Sequence, residues 1–455
     1  MMRTRVLHAL VWLLVLAWSF HTYHTATAEQ HHEWVTSDVG WQWMLGRALI
    51  DGELSQSYTV EAGQRWLSEG YDRQELEQMT TQLFRKGREK QPVKDGIDGP
   101  LYPPTAAFFF SFYGMVAPRQ AHSLGALIGL LCTFLTAFLI QSITRGRLLA
   151  SFAAMVLCVF PHHFPGLLLG QNHALTLLIV TLGWWLLGRG KPYGAGLVWG
   201  LLIYKPVVLL ALVLVPVSLL QMRLLLGMAT SALILFLATL PFTQGLEPWK
   251  RWVIVGQRAT ATYELDRRWI WLSRDLAGLP RRAMWDAESF TREWRYWWNG
   301  DIVEPDGART YLEQDHEGHV RSPAMVKYVG WGLLAGIALI TLLIMWRRED
   351  ETIPEGLPAA FLLMGAFFCV FHFMHYDLTL FALPMCLLLG ELGRFNWQRR
   401  SVILIALAGL FYCTLNFHRM GVYSLVAIPW EMFFLLAVWG WLTVVLVFGS
   451  KGAAR

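Results

Sequence analysis

Apolar residues run in long blocks separated by short polar connections. Blocks near 6–20, 120–142, 148–164, 172–188, 193–204, 206–220, 223–243, 325–346, 357–373, 376–392, 401–417 and 424–449 predict an all-α polytopic membrane protein. A span takes roughly 20 apolar residues, fewer where helices are broken or buried by neighbours. The expected number is therefore about twelve, within a range of roughly 10 to 13. Pro206, Pro216 and Pro384 interrupt individual blocks. The expected organisation is a first transmembrane helix over 1–25, an outer loop over 26–100, a bundle over 101–243, a second outer segment over 244–325 and C-terminal helices over 326–455. Within 34–50, Trp34, Trp41, Leu45 and Leu49 recur at helical spacing around Asp38 and Arg47. That pattern predicts an amphipathic helix lying along the membrane surface. Residues 61–90 read as a charged helix, and no repeat of 20–50 residues is visible.

Composition supports this reading. Of 455 residues, 55% are hydrophobic and 16% charged, against about 25% charged in soluble domains. These numbers argue against a wholly soluble chain and rule out a disordered, collagenous or coiled-coil one. The net charge of +5 says less than its distribution. Residues 26–100 hold 8 basic and 13 acidic side chains, 244–325 hold 12 and 13, and the remainder holds 18 and 7. Nucleic-acid binding is not suggested, because the basic residues sit in the short connections between apolar blocks. Arg145, Arg147, Arg189, Lys191, Arg223, Arg347, Arg348, Arg394, Arg399 and Arg400 fall on one side with Arg3 and Arg5. Cytoplasmic connections carry this excess. Both termini are then expected in the cytoplasm of a cell membrane, with both long polar segments outside. In this arrangement 101–118 re-enters the membrane or lies at its surface; if it spans instead, the orientation of 120–191 inverts.

The N-terminus admits two readings. Arg3 and Arg5 precede an apolar stretch followed by Ala26-Thr27-Ala28, as in a cleavable signal peptide or an uncleaved first helix. The five cysteines all lie in apolar blocks with no metal-ligand spacing, so neither disulfides nor a zinc site is expected.

Polar residues at the outer ends of apolar blocks carry the candidate chemistry. Asp38 beside an apolar pocket is a plausible general base, since desolvation raises a carboxyl pKa; capping of the following helix is the alternative. Leu101-Tyr102-Pro103-Pro104 reads as a rigid corner where a loop meets the bilayer. Gln171 and Asn172 open the block 172–188 and offer donors to an anion or to sugar hydroxyls, unless Asn172 is only a cap. Lys205, between two short apolar blocks, needs water, an acidic group or a ligand such as phosphate. His375 and Asp377, in His372-Phe373-Met374-His375-Tyr376-Asp377, could orient a phosphate or an acceptor hydroxyl. Metal is the minority reading there, with no fourth ligand in sight. The segment 244–325 holds eight of the 23 tryptophans, Trp297 and Trp298 among them. Their flat faces suit sugar rings or an interfacial belt.

The order of these motifs resembles a known family. They are Asp38 with Arg47-Ala48-Leu49-Ile50-Asp51-Gly52, Tyr102-Pro103-Pro104, Gly170-Gln171-Asn172, Gly194-Ala195-Gly196 through Lys205-Pro206, and His375-Tyr376-Asp377-Leu378 through Leu383-Pro384. Together, over about 30–390, they are similar to glycosyltransferase family 87, membrane enzymes of the GT-C fold. The resemblance implies an uncleaved first helix and an inverting transfer of a mannose-like hexose or a pentose from a polyprenyl-phosphate sugar. The acceptor would be a lipid, glycan or protein on the extracytoplasmic face. Asp38 matches the catalytic position. Lys205, His375, Gln171, Asn172, Asp377 and Arg47 become candidates for holding the donor phosphate or sugar, and Trp297 and Trp298 for the acceptor, with no metal or cofactor. A secondary transporter or lipid flippase is the alternative, suggested by broken helices around Lys205 and an intramembrane Asp377.

Overall fold

The computed structural model describes residues 2–28, 38–59, 100–265, 273–284, 322–348, 355–415 and 429–448. Among these the chain is helical, with one isolated bridge between Ser273 and Met374. In order the helices are α1 (Met2–Ala28), α2 (Asp38–Ile50), α3 (Ala106–Gly114), α4 (Pro118–Ile143), α5 (Ala150–Val159), α6 (His163–Leu168), α7 (His173–Leu187), α8 (Pro192–Gly200), α9 (Pro206–Leu212) and α10 (Leu214–Ser218). They continue as α11 (Met222–Thr243), α12 (Glu247–Leu265), α13 (Gly278–Ala283), α14 (Pro323–Trp346), α15 (Gly356–Phe368), α16 (Ala382–Gly390), α17 (Trp397–Leu415) and α18 (Trp430–Phe448).

Two kinds of apolar helix emerge. Among the described residues six stretches are long and apolar enough to cross a membrane: Val6–Thr27, Gln120–Ile143, Met222–Thr243, Ala324–Trp346, His375–Arg394 and Trp430–Phe448. Several present one open face of large apolar residues, such as Leu13, Leu14 and Phe20 on α1 and Leu226, Leu233 and Ile234 on α11. Five other apolar helices are shorter, at 10–17 residues. The count of about twelve expected from the sequence treats both kinds alike. The structure separates them, and burial is the reason. Along α15, Ala359 to Phe368 are at most 2% exposed, and a helix apolar on all sides is an inner one. An inner helix meets protein rather than lipid along its flanks, so it need not match the bilayer thickness.

Small residues let the helices approach closely. Gly46 of α2 faces the Phe110 carbonyl of α3, Gly114 of α3 faces the Arg47 backbone, and any Cβ there would overlap it. Gly196 and Gly200 of α8 meet Leu224, Gly227 and Met228 of α11 in the same way. Such contacts let helices pack without a hydrophobic driving force between them.

One expectation changes here. The 34–50 pattern predicted a surface helix, yet α2 buries Val39, Gly40, Gln42, Trp43, Met44, Leu45, Gly46 and Ala48. The close crossing with α3 and packing against α4 enclose it on more than its apolar stripe. The 101–118 region forms α3, whose nine residues reach about 14 Å, too short for a bilayer core of about 30 Å.

Candidate active site

The turns at one end of the bundle gather the polar residues. At the start of α7, Gly170 takes a left-handed φ of 65°, and a Cβ there would overlap the Val39 side chain. The first turn of α2, which begins at Asp38, therefore rests on this loop. Gln42, fully buried one turn further on, donates from Nε2 to the Gly170 carbonyl at 3.0 Å and to the Tyr102 hydroxyl at 3.4 Å. Tyr102 also accepts from Asn172 Nδ2 at 3.0 Å and donates to Gln171 Oε1 at 3.4 Å. Its backbone is fixed by the Tyr58 hydroxyl, which donates to the Tyr102 carbonyl at 2.5 Å. Asn172 occupies the cap position of α7 without a side-chain capping bond, so capping does not account for it. The buried Asn172 Oδ1 and Gln42 Oε1 have no hydrogen-bond partner among the described residues.

The second group forms where two broken helices meet. Lys205 lies between the 3-10 turn Leu201–Tyr204 and α9, where Pro206 starts a new helix. Its ammonium pairs with Asp377 Oδ1; the side chains are 11% and 2% exposed. Asp377 Oδ2 also accepts the Met374 N–H at 3.3 Å, and the ammonium stands 5.2 Å over the Tyr376 ring. Sequence reasoning left Lys205 a choice of water, acid or ligand; the structure supplies the acid. The two groups adjoin, because α7 packs on the turn His375–Phe381.

A third group braces that turn. The Arg274 N–H donates to the Phe373 carbonyl at 2.5 Å, and the Arg274 guanidinium donates to Glu431 Oε1 at 2.7 Å. The same oxygen lies 2.8 Å from His162 Nε2. The His162 and His375 rings meet edge to face, with centroids 5.1 Å apart. Buried His375 Nδ1 has no hydrogen-bond partner among the described residues. Asp275 accepts Ser273 Oγ at 2.6 Å and the Gly278 N–H at 2.5 Å, holding the segment before α13 in shape. Loss of hydration keeps the His372 imidazole below its ordinary pKa, against the opposing pull of Asp275 and Asp377.

The structure thus brings together Gln171, Asn172, Lys205, His375 and Asp377, and sets Val39, the residue after Asp38, against the Gly170 turn. Arg47 is not brought in: it pairs with Asp51 one turn away at 2.8 Å on an open face. Trp297 and Trp298 lie outside the described residues. Sequence reasoning missed Gln42, Arg274 and Glu431, and read Tyr102 only as part of a corner. Glu431 was findable as a lone carboxylate inside an apolar block. Among the described residues, no group of three or more His, Cys, Asp or Glu could hold a metal ion.

Residues 101–284 match the model of glycosyltransferase family 87. The matched stretch contains Tyr102, the Gly170–Asn172 loop, Lys205 and Arg274, and it indicates a membrane glycosyltransferase. No curated protein and no solved structure matches the chain.

Proposed function

We propose that the chain is an inverting glycosyltransferase that moves a sugar, a mannose-like hexose or a pentose, from a polyprenyl phosphate to a lipid, glycan or protein acceptor. The observation that carries this reading is the seat of α2. The turn opening with Asp38 rests on the Gly170–Asn172 loop, next to the buried Lys205–Asp377 pair. Asp38 takes the proton from an acceptor hydroxyl, whose oxygen attacks the anomeric carbon as the bond to the phosphate oxygen breaks. The leaving group departs as polyprenyl phosphate, so donors and a cation suffice to stabilise it. Lys205 carries three donors; one can hold Asp377 while others face the phosphate. His375, Gln171 and Asn172 are the neighbouring candidates, with Arg47 and Asp377 in supporting roles, and Trp297 and Trp298 belong to acceptor binding. No cofactor is invoked.

In this reading the chain crosses a cell membrane about twelve times in a GT-C arrangement. The arginine-rich end and both termini face the cytoplasm, and the site faces outward. The Lys205–Asp377 pair at a helix break also suits a secondary transporter. One assay separates the two: transfer of labelled sugar from a polyprenyl phosphate in membranes without an ion gradient. A glycosylated product is expected. Absence of transfer with every polyprenyl-phosphate sugar tried, alongside gradient-driven uptake, would favour the transporter.

A further inference from the structure

The opposite end of the bundle holds a second built feature. A cavity of about 220 Å³ opens between the C-terminal ends of α4 and α7, lined by Ser142, Arg145, Trp184, Trp185, Arg189 and Glu355. Arg189 lies over the Trp185 ring, 4.1 Å from its centroid. Ser142 Oγ accepts from Trp185 Nε1 at 3.0 Å and from Arg189 at 3.4 Å. Among the described residues Arg189 has no carboxylate partner and the Ser142 hydroxyl has no acceptor. Both therefore keep donors for a ligand.

These cations are not needed as helix caps. The Gly146 N–H closes α4 on the Gln141 carbonyl at 2.8 Å, and the Lys191 N–H closes α7 on the Leu186 carbonyl at 3.0 Å. Both turns use left-handed glycines, Gly146 and Gly190. Nor does Glu355 neutralise the cavity, because it is shared between Arg145 at 3.1 Å and Arg147.

The outer face of α4 indicates where the ligand comes from. Leu127, Leu131, Leu135 and Phe138 are 45–55% exposed, and Ser142 continues the stripe one turn on. An acyl chain along that stripe would bring its headgroup to Ser142, at the level where a tryptophan and arginines favour the membrane interface.

We propose that Ser142, Arg189 and Arg145 bind the phosphate of an anionic membrane lipid whose acyl chain follows the outer face of α4. The stacked Arg189 and the Ser142 hydroxyl supply hydrogen bonds, and Arg145 supplies charge at the mouth. This site is independent of the glycosyl-transfer reading.

Native mass spectrometry of the delipidated full chain, titrated with phosphatidylglycerol or phosphatidylcholine, tests it. The wild type should retain phosphatidylglycerol in preference. Arg189→Gln should weaken that retention about fivefold, and Ser142→Ala should weaken it while leaving the charge intact. Arg399→Gln, at the same end but outside the cavity, should leave it unchanged. An equal loss in Arg399→Gln, or no preference over phosphatidylcholine, overturns the proposal. Equal occupancy by inorganic phosphate alone would assign the site to the free ion and overturn the lipid. If Arg189→Gln fails to fold, Ser142→Ala carries the test.

Discussion

The two ends of the bundle use similar charged residues in opposite ways. At the arginine-rich end two carboxylates are shared among several arginines, of which Arg145 and Arg394 are open to solvent and Arg147 is partly enclosed. Arg145 is 73% exposed on Glu355, and Arg147 bridges Glu355 and Glu391 while Arg394 joins Glu391. At the other end, about 22 Å away along the 15 residues of α7, the charges are enclosed. Lys205 with Asp377, and Arg274 with Glu431 and His162, are nearly out of contact with solvent. Open pairs contribute little stability. Enclosed pairs pay a desolvation cost that apolar residues would avoid, so stability alone gives no reason to keep them. In the proposed function the enclosed end carries the chemistry and the arginine-rich end faces the cytoplasm.

Breaking this contrast starts with Asp38→Asn, which keeps a capping side chain and removes the base. Transfer should fall about 100- to 10,000-fold with unchanged expression; near wild-type turnover would leave Asp38 a cap. Lys205→Met strands a buried carboxylate and should cost about 3–5 kcal/mol in detergent unfolding. Combining it with Asp377→Leu should restore stability but not transfer. A single variant as stable as the wild type would remove the distinction between the ends. Gly170→Ala forces a Cβ into Val39 at a left-handed φ and should cost about 1–3 kcal/mol. Its transfer rate should fall too, because the seat of α2 shifts. Tyr102→Phe removes the hydroxyl shared by Gln42, Gln171 and Asn172 and should cost about 1 kcal/mol, with a raised donor KM as the sharper readout. Arg145→Gln at the open end should change stability by less than about 1 kcal/mol, and added salt should erase even that.

Much of the helical layout was legible along the chain. The blocks 223–243 and 325–346 became α11 (Met222–Thr243) and α14 (Pro323–Trp346), because apolar length and charged ends are local properties. Lys205 stood out for the same reason, as a cation between two apolar stretches. The pairing did not: Asp377, itself a candidate, lies 172 residues away, and nothing local joins the two. Arg274 and Glu431 are 157 residues apart: Arg274 is lost among the charges of a long polar segment, and Glu431, conspicuous in its apolar block, has no local partner. Tyr102 was masked by its prolines, which explain the corner without requiring a role for the hydroxyl.

The sequence by itself determined that the chain is apolar, helical and charged unevenly along its length, since each of these follows from residue type and spacing. It also carried the order of motifs on which the family resemblance rests. The tertiary structure alone decided which helices are inner and which face outward, that α2 is enclosed, and that Lys205 finds Asp377. Those outcomes depend on how backbones approach at Gly46, Gly114, Gly196 and Gly227. A glycine permits close contact but does not specify with which helix, so the partners are set only when the whole bundle packs.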